Sequence, residues 1–87
     1  MTESIGDAKS NIGKANSTTS SCHGLLSRAV EVLERGQAEL AAAVAGSPQA
    51  DVSSAMGLMR GATEKINEAQ QAVAAAVRAA EDVAVRL

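Results

Sequence analysis

At 87 residues the chain is long enough for one small domain, and with no Phe, Trp or Tyr it has no large side chain to anchor a globular core. The net charge is −2, with acidic and basic residues interspersed. That excludes the basic stripe a phosphate backbone requires, and the missing aromatics remove base-stacking platforms, so nucleic acid is not an expected partner. The single cysteine, Cys22, cannot form an internal disulfide, which fits a reducing compartment.

Alanine, the best helix former, is the commonest residue. The opening Met1-Thr2-Glu3-Ser4-Ile5-Gly6-Asp7 has no basic stretch followed by an apolar one, and no run approaches the roughly 18 apolar residues of a membrane span. The expectation is a protein that is cytoplasmic, or exported without a cleavable signal peptide.

The first helix is predicted over about residues 4–45. Thr2 or Ser4 can cap it, and Glu3 and Asp7 suit the positive end of its dipole. Ile5, Ile12, Thr19, Leu26, Leu33 and Leu40 recur every seven residues. With Ile5 as heptad position a, position d holds Ala8, Ala15, Cys22, Ala29, Gly36 and Ala43. Large residues at a over small ones at d allow close helix approach, so a and d are expected to form the seam. The weak stretch is Asn16 to Ser21, where Ser, Thr and Asn compete for backbone hydrogen bonds. Either the helix continues through residues 16–21, which the unbroken phase from Ile12 to Leu26 favours, or it breaks there.

Gly46-Ser47-Pro48 supplies the turn: a glycine stop, a serine cap and a proline in the next first turn. Stop and start signals packed this tightly force an antiparallel neighbour. The second helix is predicted over about residues 48–87, with Val52, Met59, Ile66, Val73, Ala80 and Leu87 at a, and Ala55, Ala62, Ala69, Ala76 and Val83 at d. Helices of about 40 residues make a rod of about 55–60 Å at roughly 1.5 Å per residue. The fold class expected is all-α: a single domain over residues 1–87, an antiparallel coiled-coil hairpin. Leu25 and Val32, at g, widen the apolar stripe of the first helix beyond one seam. That breadth, with the small size of the domain, points to dimerisation into a four-helix bundle. The helix–helix interface is expected at Ile5, Ile12, Leu25, Leu26, Val30, Leu33, Leu40, Val52, Met56, Met59, Ile66, Val73, Val77 and Val83.

Few residues carry candidate chemistry. Cys22-His23 is the one metal- or nucleophile-like pair; a zinc site needs three or four ligands, and the chain has no second Cys or His, so packing is the simpler role for Cys22. Gly57-x-x-x-Gly61 has the spacing of a close-packing motif but includes Arg60 and lies off the expected seam. Glu64 and Glu68 stand one turn apart, as acid–base pairs can, yet a two-helix rod offers no pocket to shift their ionisation. No phosphate loop, triad or nucleophile elbow is present. The chain reads as a non-enzyme without a cofactor.

Val44-Ala45-Gly46 stands where the WXG family of type VII secretion substrates carries Trp-x-Gly at the turn of a helical hairpin. In length and expected architecture the chain resembles that family. It keeps the glycine but has valine for the tryptophan, and contains no tyrosine for the family's Tyr-x-x-x-Asp/Glu export signal. Gly46-Ser47, Gln49-Ala50-Asp51-Val52, Lys65-Ile66-Asn67-Glu68-Ala69, Ala79-Ala80-Glu81 and Arg86-Leu87 resemble uncharacterised alanine-rich hairpins of actinobacteria, segments of which also stand at the front of some polymorphic toxins. The resemblance implies a WXG-like helical module that pairs with itself or with a similar hairpin, associated with a secretion or toxin system. A different expectation keeps the same shape but makes it a structural subunit of a larger filament, shell or phage-like particle, through a contact that does not close.

Overall fold

The computed structural model describes residues 4–45 and 50–87. It contains two helices, α1 (Ile5–Ala43, 39 residues) and α2 (Ala50–Arg86, 37 residues), and no strand among the described residues. They pack against each other along their length as an antiparallel hairpin 67 Å long and 19 by 15 Å across. The expected turn residues Gly46, Ser47 and Pro48 lie outside the described residues.

Ser4 caps α1: its extended backbone (φ −76°, ψ 162°) turns the hydroxyl inward to accept from the Asp7 amide at 3.0 Å. This satisfies one of the four amides that a helix start leaves without an intrahelical carbonyl. Asp7 adds its negative charge to the same turn, and Asp51 does so for α2. At the far end of α2, Arg86 Nε donates to the Asp82 carbonyl one turn back at 3.2 Å, which holds a positive charge near the negative end of the helix dipole.

α1 runs unbroken through residues 16–21, and the hydroxyls there explain how. Thr18 Oγ1 donates to the Lys14 carbonyl at 3.1 Å, Thr19 Oγ1 to Ala15 at 2.9 Å and Ser21 Oγ to Ser17 at 3.1 Å. Each side chain bonds back to the carbonyl one turn earlier, on top of the helical ladder instead of in competition with it.

The seam differs from the expected a/d pairing. Position a is half-buried from Ile12 to Leu40 and from Val52 to Ala80, as expected. The row that joins it is e. Asn16, Val30 and Gln37 on α1 with its C-cap Val44, and Met56, Thr63, Gln70, Val77 and Ala84 on α2, are half-buried. At d, Ala15, Cys22, Ala43, Ala76 and Val83 are exposed, while Ala8, Ala29, Gly36, Ala55, Ala62 and Ala69 are half-covered. Alternating steps of three and four residues fit a/d and a/e equally well, so the heptad beat alone does not choose between them.

Register follows from contacts across the seam. Asn16 Nδ2 donates to the Val77 carbonyl at 3.4 Å. Gln70 Nε2 donates to Ser27 Oγ at 2.8 Å and reaches the His23 carbonyl at 3.5 Å. Gly36 lies beside Met59, whose Cε would stand 4.0 Å from a Cβ placed there. A polar residue at a seam position can specify alignment at some cost in stability, and Asn16 and Gln70 occupy such positions here.

Candidate interaction surface

The hairpin buries nothing completely: among the described residues none, apolar or polar, falls in the buried class. A fully buried Leu, Ile or Met side chain contributes about 1.5–3 kcal/mol, and half-covered ones realise only part of that. Of the residues expected at helix–helix contacts, the structure brings Ile12, Leu26, Val30, Leu33 and Leu40 together with Val52, Met56, Met59, Ile66, Val73 and Val77 in the seam. Ile5, Leu25 and Val83 stand outside it, 60%, 72% and 45% exposed. Leu58, which is not among the residues expected at an interface, is 77% exposed. Its heptad position carries the signal: on α2 it holds the g position that Leu25 and Val32 hold on α1.

The two broad sides of the hairpin differ in kind. Seen from one end, antiparallel helices turn in opposite senses, so like-named rows flank the seam on the same side. Rows d and g of both helices therefore share one face, and rows b and f share the other. The b/f side holds the inter-helix hydrogen bonds of Gln70. It also holds shallow open grooves, one lined by Ser20, His23, Val73, Ala74, Val77 and Arg78, another by Lys9, Ile12, Asn16, Glu81 and Val85 among others. The d/g side carries Cys22, Ala29 and Gly36 with Leu25 and Val32 on α1, and Ala62, Ala69 and Ala76 with Leu58, Ala72 and Ala79 on α2. No d position on either helix is charged; charge on this face is confined to g, at Glu39, Asp51, Lys65 and Arg86.

The residues considered for chemistry are dispersed. Cys22 and His23 are both exposed, and among the described residues no three of His, Cys, Asp and Glu come together as a metal would need. Glu64 and Glu68 lie on the solvated surface. The Gly57/Gly61 pair admits no close neighbour: a Cβ at Gly61 would meet nothing within 4 Å, and one at Gly57 only Arg60 of its own helix. No helix among the described residues is long and apolar enough to cross a membrane.

Comparison of the chain with protein-family models, with curated proteins and with solved structures found no match to any of them.

Proposed function

We propose that this protein is a non-enzymatic interaction module: a hairpin that completes its core by packing against a second helical hairpin, its own copy or a similar chain, to form a four-helix bundle. One observation carries the reading. A chain that is 46% hydrophobic leaves no described residue fully buried, and small scaffolds without disulfides or metals gain their missing stability by association. The WXG-like length and hairpin form fit a role beside a secretion or toxin system, where paired hairpins are the functional unit.

Size-exclusion chromatography with light scattering on the reduced protein tests it. The expected result is a compact species of twice the 8.8 kDa chain mass. A well-folded monomer at high concentration contradicts the reading. Large extended particles favour the structural-subunit alternative, because only a contact that does not close produces them.

A further inference from the structure

The stripe that the sequence makes apolar and the stripe that the hairpin covers coincide only in part: they share row a, but d is left exposed at Ala15, Cys22, Ala43, Ala76 and Val83. The covered rows are a and e; the covered part of e mixes Asn16, Gln37, Thr63 and Gln70 with Val30, Val44, Met56, Val77 and Ala84, while its Lys9 and His23 stay exposed. The apolar rows are a and d, and d holds only Ala, Gly, Cys and Val. The apolar stripe is thus rotated away from the seam toward the d/g face. A helix with one neighbour centres its apolar stripe on that neighbour. A helix with two neighbours centres it between them, toward the axis of a bundle. We infer that the d/g face, around Leu25, Val32 and Leu58, is the surface on which a second copy of this chain docks. This rests on the four-helix reading above and says which face makes it.

A second copy fits this face better than an unrelated surface because the face is complementary to itself, as a two-fold contact requires. The register places Leu25 level with Ala69 and Ala72, between the levels set by His23 and Ser27 against Gln70. Seven residues on, Val32 is level with Ala62. Leu58 is level with Gly36, next to the Gly36–Met59 contact. A two-fold axis along the rod sets α1 of one copy against α2 of the other with levels unchanged. Each protruding side chain then meets small ones: Leu25 the partner's Ala69 and Ala72, Val32 its Ala62, Leu58 its Gly36. The side is long enough to hold such an interface: its outline of 67 by 19 Å leaves room for the roughly 800 Å² per partner of a standard contact. In that bundle rows a and d both point to the axis, and the polar residues of e remain at its margin.

The test compares the full-length wild type with Leu25→Glu, Leu58→Glu and, on the opposite side, Ser17→Glu, by sedimentation equilibrium. Wild type is expected to dimerise. Each buried glutamate should raise the dimer dissociation constant by about a hundredfold or more, while Ser17→Glu should change it by less than about threefold. If both face variants dimerise as wild type does, the d/g assignment fails and the bundle reading survives; a wild type that stays a well-folded monomer throughout the range overturns both, and a poorly folded monomer overturns the second-copy assignment alone.

A second readout needs no variant. Cys22 lies in the d row and is exposed in the lone hairpin, so its reaction with a maleimide should slow by about tenfold or more between dilute monomer and concentrated dimer, as access sets the rate. An equal rate in a sample that sedimentation shows to be dimeric overturns the assignment.

Discussion

The two broad sides of this hairpin share the same helices and the same seam, yet they differ in what they satisfy. On the b/f side Gln70 spans the seam to Ser27, and open grooves are lined by polar residues together with Ile12, Val73 and Val77; Val85, 82% exposed, is the large apolar residue this side leaves wet. On the d/g side the d row is small and apolar, g adds charge at Glu39, Asp51, Lys65 and Arg86, and Leu25 and Leu58 extend into solvent with 72% and 77% of their surface exposed. Water solvates the first side at little cost, whereas leaving the second wet forgoes about 25 cal/mol for each Å² of apolar surface not covered. A row of small, uncharged residues flanked by exposed leucines is the kind of surface that suits a partner.

The substitution expected to bear hardest on this contrast is Leu33→Ala, at an a position of the seam. If the hairpin stood alone, half-cover would limit the loss to about 1–2 kcal/mol; within a four-helix bundle, where the same side chain is enclosed, the loss should be about 2–5 kcal/mol. Chemical denaturation followed by circular dichroism reads the difference, and a result near the lower range would favour the lone hairpin.

Glycines compare the two sides more gently. Gly24 lies at f, and a Cβ there would meet nothing within 4 Å. Gly24→Ala should therefore stabilise by about 0.5–1 kcal/mol through helix propensity alone. Gly36 has equal room in the hairpin, where its added Cβ would make ordinary contact with Met59. Gly36→Ala should nevertheless gain less or become unfavourable, because the proposed d/g dimer would seat a partner's Leu58 over it. Equal gains in thermal denaturation at both positions would argue that nothing covers Gly36.

The smallest effect concerns alignment. Gln70→Ala removes the 2.8 Å hydrogen bond to Ser27 and should cost about 0.5–1.5 kcal/mol, nearer the lower end at so exposed a bond. Its informative consequence is on register: amide exchange around Ser27 should quicken more than around Leu40. Uniform exchange along α1 would show that Gln70 does not hold the alignment.

Much of the fold is legible in the amino-acid sequence. The two heptad runs mark both helices, Ser4 is one of two capping candidates, and the unbroken phase across residues 16–21 favours the continuous α1 that the Thr and Ser back-bonds sustain. The seam is not legible, for a specific reason. Hydrophobicity points to d, since Ala8 through Ala43 are small and apolar while e contains Lys9, Asn16 and His23. Coverage falls on e because that row also carries Val30, Val44, Met56 and Val77, and because Asn16 and Gln70 can sit at the edge of a shallow seam with their amides hydrogen-bonded across it. Sequence reports where apolar surface is concentrated, and a hairpin alone decides only which part of it the second helix can reach. Leu58 is easily overlooked because proximity along the chain groups it with Met56 and Met59, whereas its heptad position sets it with Leu25 and Val32.

The most direct test of the central claim, that the d/g faces of two copies meet side by side, is small-angle X-ray scattering with light scattering on the same reduced sample. Side-by-side docking requires twice the 8.8 kDa chain mass in a particle whose longest dimension stays near the 67 Å of one hairpin. A particle of single-chain mass, or a dimer much longer than 67 Å, would contradict it.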